Sequence, residues 1–338
     1  MKNIELDTIK KKFLPFFKNK KILITGGTGL IGREILNYLT LCNSKEIKVI
    51  SLDRIKLKIK NVKFIYGDLC DFEFCKKITK NIDYVFHIAG IKGSIKVTLE
   101  KPASFFVPLL MMNTNILEAS RINKVKRLVY TSSIGAYANG SKLKENNIEN
   151  GEPMDTYPGY AKRMAELQIQ SYKKQYKLKN YFVLRPCNVY GPGDNFDKKN
   201  AMVIPSLISK IHEKKSNVEI WGDGKSIRDF LFSRDAARGI LLTLIKGTGK
   251  ETFLNLGSGK GFSIKELVVS LRSFISFNYF FNKSKATGYS SRVLSMKKSK
   301  RILKFKPIYS LKEGLKETYH WYLKNKKQSK FRKNYFTK

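Results

Sequence analysis

Short runs of branched and aromatic residues alternate along the chain with longer stretches in which apolar residues recur every three or four positions. The first run is Lys21–Thr25 (KILIT), and residues 47–52, 62–66, 83–88, 127–131 and 181–184 repeat it. Such short runs, bounded by polar or turn-forming residues, predict buried strands. Between them, Leu30, Ile31, Ile35, Leu36 and Leu39 fall at helical spacing, and residues 105–122 and 159–175 read as two longer helices. Strand and helix alternate in this way from residue 21 to residue 184. Parallel neighbours need crossover helices, so the pattern predicts an α/β fold whose doubly wound parallel sheet is covered on both faces. Beyond residue 185 the pattern is less regular. Loops are expected around residues 190–200 and 257–261, and a lysine-rich end is expected to be unstructured.

The turn after the first strand is Gly26-Gly27-Thr28-Gly29-Leu30-Ile31-Gly32, a GxxGxxG spacing between a strand and a helix. Gly26 permits a tight turn, Gly29 lets the backbone approach a pyrophosphate, and Gly32 allows close helix–strand packing. Backbone N–H groups at the helix start, around Leu30 and Ile31, attract the phosphates. Asp53, an acid about 20 residues on, closes the second strand. There a carboxylate can accept from both ribose hydroxyls and repels a 2′-phosphate, which favours NAD. Arg54 beside it offers a guanidinium to a 2′-phosphate, so NADP stays possible.

Composition narrows the class. The longest apolar runs, residues 84–90 and 105–112, fall far short of the roughly 18 residues a membrane helix needs. The opening MKNIELDTIKKKFLPFFKNK is basic and amphipathic, and its acidic residues and missing apolar core do not match a secretory signal. A cytoplasmic protein without membrane insertion is expected. Cys42, Cys70, Cys75 and Cys187 form no CxxC pair, so neither a zinc site nor a disulfide framework is expected, and no metal. The formal charge of +39, from 66 basic and 27 acidic residues, raises the question of nucleic acid. The excess is mostly lysine and runs the whole length of the chain without a recognition-helix pattern. It reads as a lysine-coated surface, and no nucleic-acid partner is expected.

Further stretches complete a pattern: YGDL at 66–69, VFHIAG at 85–90, YTSS at 130–133, RPCNVYGPGDNF at 185–196, VIPSLI at 203–208, WGDGKSIRDFLFSRDAA at 221–237 and FLNLGSG at 253–259. With TGGTGLIG they make the chain resemble, from residue 21 to about residue 323, the extended short-chain dehydrogenase/reductase family of nucleotide-sugar epimerases and dehydratases. Its second half is most similar to the GDP-fucose synthase branch. The resemblance implies a Rossmann-type doubly wound parallel sheet with a smaller α/β substrate-binding domain. Residues 20–185 and about 226–258 would form the NAD(P)-binding part. Residues 186–225 and 259–325 would form the substrate part, followed by a basic tail at 326–338. The resemblance places Asp68 and Leu69 beside the adenine and Ala89 and Gly90 along the cofactor. Asn115 would support the active site and the substrate, while Asn188, Val203 and Arg228 would contact the substrate, with Arg228 near its diphosphate. A guanidinium fork suits paired phosphate oxygens. His87 is expected to be a satisfied strand residue.

In this family a hydride passes between the nicotinamide and a sugar carbon, a tyrosine carries the proton, and a lysine and a serine assist. A phenol, with a pKa of about 10, is a poor base at neutral pH unless a cation stabilises its phenolate. The resemblance makes Ser133 that serine and Lys162 that lysine, the latter also a cofactor ligand. Four residues before the lysine, where the tyrosine belongs, stands Pro158. Tyr160 would point about 160° away from Lys162 on a continuous helix. Tyr157 precedes a proline suited to a first helical turn, so it is expected just outside the helix, free to swing towards Lys162. Tyr157 is the preferred phenol; Tyr160, or no tyrosine, is the alternative.

Ile134 and Gly135 follow Ser133 where dehydratases of the family carry an acid, so dehydration is not expected. Gly135 and Met202 replace the cysteine and histidine with which GDP-fucose synthases invert two carbons, so double epimerisation is not expected either. Redox at one carbon remains. A nucleotide-sugar 4-epimerase with recycled NAD(P) is the main reading. A 4-keto-6-deoxysugar reductase is the alternative, and a non-catalytic NAD(P)-binding protein a third. The expected partners are a nucleotide-diphosphate sugar and a second copy of the chain, paired through helices 105–122 and 159–175.

Overall fold

The structure, a computed structural model, describes residues 1–52, 58–91, 93, 95–139, 143–146, 151–197, 200–214, 216–249, 253–285 and 288–329. Thirteen strands occur among them: β1 (Lys21–Thr25), β2 (Glu46–Ser51), β3 (Val62–Tyr66), β4 (Tyr84–His87), β5 (Arg127–Thr131), β6 (Tyr181–Pro186), β7 (Asn188–Tyr190), β8 (Val218–Trp221), β9 (Ile227–Phe232), β10 (Phe253–Leu256), β11 (Gly261–Ser263), β12 (Tyr279–Asn282) and β13 (Ser291–Arg292). Seven form one sheet in the order β10-β6-β5-β4-β1-β2-β3, and every neighbouring pair is parallel. The winding reverses at β1, which lies between β2 and β4. At such a reversal the connections leave in opposite directions and open a crevice at the carboxyl ends of the strands. Ile22, Leu23 and Ile24 are fully buried, as a parallel strand covered on both faces requires.

Two apolar layers sandwich this sheet. On one face Leu109, Met112 and Ile116 of the helix Pro102–Ile122 meet Ala161, Ala165 and Ile169 of the helix Thr156–Tyr176. On the other, Ile35, Leu36 and Leu39 of the helix Gly32–Thr40 meet Ile240, Leu241 and Leu244 of the helix Ser233–Lys246. The amphipathic opening is helical from Asn3 to Phe17 and buries Phe13 and Phe17 beside Tyr38, Tyr84 and Phe86. Buried Glu5 fixes it, accepting from the hydroxyls of Tyr38 and Tyr309.

The second half builds smaller sheets. β9 pairs with β7, β11 and β13, and β8 pairs with β12. A separate, aromatic-rich core joins Tyr190, Phe196, Phe230, Phe277 and Tyr322. Residues 227–232, expected with the large sheet, lie in the small one because β7 and β11 occupy their two edges. The chain returns to the large sheet only with the helix Ser233–Lys246 and β10. The last helix, Leu311–Ser329, takes in the first residues of the expected tail, and the rest of that tail lies outside the described residues. No helix among the described residues is long and apolar enough to cross a membrane.

Candidate active site

The glycine turn closes the bottom of the crevice, and each glycine has a separate steric reason. Gly26 has φ +69°, and a Cβ there would stand 2.8 Å from the Ala89 backbone. A Cβ on Gly32 would collide with the Gly26 carbonyl, since the helix starts directly against the turn. At Gly29 the sole near neighbour is the Gly26 oxygen at 3.1 Å, so its outer side is open. Residues 28–31, Leu30 and Ile31 among them, are half-exposed just before the helix Gly32–Thr40. This backbone-lined cradle, open at Gly29, fits a dinucleotide pyrophosphate. Asp53 and Arg54 lie outside the described residues. Asp68 is exposed and accepts from the Cys70 N–H, and Leu69 is buried behind it.

Above the cradle runs a buried polar chain. The Thr25 hydroxyl accepts from the N–H groups of Ile88 and Ala89, both at 3.2 Å, and donates to His87 Nδ1 at 2.7 Å. His87 Nε2 donates to Asn113 Oδ1 at 2.9 Å, and the Asn113 amide donates to the Tyr130 hydroxyl at 3.1 Å. His87 is therefore a neutral, doubly bonded strand residue. Burial and the nearby Lys162 ammonium push its pKa down to about 3.

Lys162 ends over the Tyr130 ring, 5.0 Å from its centroid, and donates to the Thr131 carbonyl at 2.9 Å. A Cβ on Gly90 would stand 3.6 Å from its Nζ, so the ammonium borders the strand end expected to run along the cofactor. Its side chain is partly open, but desolvation of the ammonium lowers the pKa to about 8 against a modest opposing pull from Glu166. Ser133, at the end of β5, is half-buried and its Oγ accepts from the Gly135 N–H at 3.0 Å. β4 and β5 are neighbours in the sheet, which brings Gly90, Ser133 and Lys162 to one side of the crevice.

The tyrosines fall differently from expectation. The helix begins at Thr156, so Tyr157 lies inside its first turn and is not free of helical geometry. The cause is Asp155, whose N–H is held by the Gly135 carbonyl at 3.0 Å and whose own carbonyl accepts from Gly159 at 2.6 Å. Pro158 then sits in the first turn, where its missing donor does no harm. Five residues from Lys162, Tyr157 is turned by about 140°; it is exposed and meets the Phe106 ring edge-on. Tyr160 is turned by about 160° and lies beside the Arg163 guanidinium.

Asn115 does not reach the substrate side. Its amide donates to the carbonyls of Leu69 and Cys70, at 3.0 and 2.9 Å, and props the loop expected beside the adenine. Asn113 already faces the sheet, and two residues further on a helix points nearly the opposite way.

Arg228 and Asn188 belong to the small sheet. Arg228 is half-buried on β9, and Asn188 on β7 donates to the Asp229 carbonyl. Val203 is half-buried at the start of the helix Val203–Glu213. The pairing of β13 with β9 puts Arg292 directly beside Arg228, a neighbour 64 residues away that sequence spacing could not reveal. Burial, helped by Arg292, lowers the Arg228 pKa to about 10, as expected for two guanidinium groups facing one region. Asp229, fully buried, accepts from Ser258 N–H and Oγ and from Gly259 N–H, holding the loop after β10 against β9. Arg292 also bonds Asp155 at 3.0 Å, which links the small sheet to the helix that carries Lys162.

The family model described as "NAD dependent epimerase/dehydratase family" matches residues 22–257. The GDP-L-colitose synthase of Yersinia pseudotuberculosis is 30% identical over 81% of this chain and 89% of its own length. The UDP-glucose 4-epimerase of Thermotoga maritima, solved with UDP-glucose, superposes with a TM-score of 0.80 at 27% identity, covering 90% of this chain and 99% of that one. A GDP-L-fucose synthetase from Naegleria fowleri, bound to NADP, gives 0.77 at 25% identity over 92% and 94% of the two chains. With its winding reversal, its glycine cradle and a helix lysine that reaches the end of β5, the chain belongs to the NAD-dependent epimerase/dehydratase family and is an NAD(P)-dependent enzyme.

Proposed function

We propose that the protein interconverts nucleotide-diphosphate sugars by transient oxidation at C4, as an NAD(P)-dependent 4-epimerase. The observation that carries this reading is the desolvated Lys162 ammonium beside Gly90 and the Ser133 turn, on the crevice wall above the glycine cradle. When bound, the dinucleotide supplies a hydride acceptor and donor. The chain supplies the rest. Gly26, Gly29 and Gly32 with Leu30 and Ile31 seat the pyrophosphate, and Asp53 favours NAD. Ser133 holds the reacting oxygen, and Lys162 contributes positive charge beside it. Arg228, joined by Arg292, takes the sugar's diphosphate, with Asn188 and Val203 nearby.

A second reading, reduction of a 4-keto sugar, has support of its own. The Yersinia relative is a GDP-L-colitose synthase, and the Naegleria protein is bound to NADP. Mass spectrometry of the dinucleotide released from purified, denatured protein separates the two. Retained NAD(H), with exchange of UDP-glucose and UDP-galactose seen by NMR, is the expected outcome for an epimerase. An empty site that fills with NADPH in preference to NADH would replace it with the reductase. Binding of neither dinucleotide would sink both.

Val107 and Met111 on the helix Pro102–Ile122, and Met164 and Leu167 on Thr156–Tyr176, are exposed apolar residues on two helices that pack together. They support a homodimer through a four-helix interface. Four cysteines without a pairing pattern fit a reducing cytoplasm.

A further inference from the structure

The place from which a phenol would serve Lys162 is held by Pro158, and both tyrosines at the start of that helix are turned away from the lysine. Lys162 is an ammonium below its pKa of about 8 and has no lone pair to receive a proton. We propose that the Asp155 carboxylate is the proton carrier of this site. On this view it takes the hydroxyl proton of the reacting sugar carbon during oxidation and returns it on reduction. The inference rests on the C4 redox reading given above.

Asp155 stands seven residues before Lys162, immediately ahead of the helix that carries the lysine. As the N-cap residue it would ordinarily accept from an N–H of the first turn. It makes no such bond. Instead the carboxylate folds over residue 135, where a Cβ would fall on Oδ2, so only a glycine there leaves room for it. That glycine is the residue whose N–H binds Ser133 Oγ and whose carbonyl binds the Asp155 N–H. The serine hydroxyl and the carboxylate thus flank one residue. Arg292 holds Oδ1 at 3.0 Å, while Oδ2 lies at the Ser133–Gly135 turn. The Asp155 side chain remains 38% exposed, whereas its partner Arg292 is 10% exposed.

The step balances within the closed cycle. The C4 hydrogen leaves with both electrons to the oxidised dinucleotide. The O–H bond breaks, its proton goes to Asp155 and its electrons form the C=O bond. On return, a hydride reaches the other face of the carbonyl and the Asp155 carboxylic acid protonates the oxygen.

The test uses the holoenzyme with UDP-glucose, GDP-mannose and UDP-N-acetylglucosamine as probes, following C4 epimerisation by NMR and dinucleotide affinity by calorimetry. For Asp155→Ala, the expected result is a loss of about 100-fold or more in kcat. KM and dinucleotide affinity should stay within about threefold, and added formate should restore at least about tenfold, by supplying the missing carboxylate. Asp155→Asn, which preserves shape, should lose as much and gain nothing from formate. Tyr157→Phe and Tyr160→Phe should stay within about threefold of wild type. A fully active Asp155→Ala, a formate-insensitive one that still binds dinucleotide, or an inactive Tyr157→Phe would each overturn the inference. A wild type that binds dinucleotide yet turns over none of the probes would overturn the epimerase reading and this inference with it.

Discussion

The glycine turn and the start of the helix Thr156–Tyr176 lie at the same crevice but are specified in different ways. Within the turn, every requirement is met by chain neighbours or by the strands on either side of β1. Gly32 packs on Gly26, and Gly26 packs on the strand end at Ala89. At the helix start the partners come from three separate segments: Gly135 after β5, the helix with Lys162 and its N-cap Asp155, and Arg292 on β13. A local motif can be read from spacing because its geometry follows from a few successive dihedral angles. An assembled site cannot, because its contacts depend on sheet register and on where a helix begins.

Three experiments test that contrast. The largest effect is expected at the assembled end. Lys162→Met should lower turnover by about 1,000-fold while leaving the protein folded. The pKa of Lys162 is depressed to about 8 in the folded state, below the ordinary lysine value. Between that pH and about 10.5, the unfolded chain holds a proton that the folded one has released. Wild type should therefore gain stability relative to the Met variant as pH rises through this window, and chemical denaturation at pH 8 and 10.5 reads the difference. A flat difference would mean that the ammonium is not desolvated.

At the local end, two neighbouring glycines should respond differently. Gly32→Ala places a methyl group against the Gly26 carbonyl and should destabilise the fold by about 2–4 kcal/mol. Gly29→Ala meets only one atom, at 3.1 Å, and points into the open cradle. It should leave the melting temperature nearly unchanged while weakening dinucleotide binding about tenfold or more. Equal losses of stability from the two variants would show that the openness at Gly29 is not kept for a ligand.

The smallest effect concerns the buried chain between the two ends. The folded-state pKa of His87 is held near 3, well under the ordinary value of about 6.5. As pH falls below the unfolded value, the unfolded chain takes up a proton that the folded one refuses, so stability is lost from about pH 6.5 downwards. Between pH 6.5 and 5 this should amount to about 2 kcal/mol at most. His87→Gln should remove that part of the slope in urea melts, and an unchanged slope would place the titration elsewhere.

Much of this architecture follows from the chain's own pattern. β-branched runs without alternation, spaced by helical stretches, require a parallel sheet with both faces covered, and the glycine spacing marks where it opens to a dinucleotide. The resemblance singles out Ser133 and Lys162, and the fold brings both to the side of the crevice where β4 and β5 end. Several other features depended on the folded state. Tyr157 was expected outside the helix, but the bond from Asp155 to Gly135 starts the helix earlier and turns the phenol away. Asn115 was expected at the substrate, but Asn113 faces the sheet and sends it to the Leu69 carbonyl. Arg292 joins Arg228 only through the parallel register of β13 on β9. Periodicity determines which face of an element is buried, because that is a property of the element alone. Which side chains meet across elements is decided by register, helix start and packing angle, and these exist only once the whole core has closed.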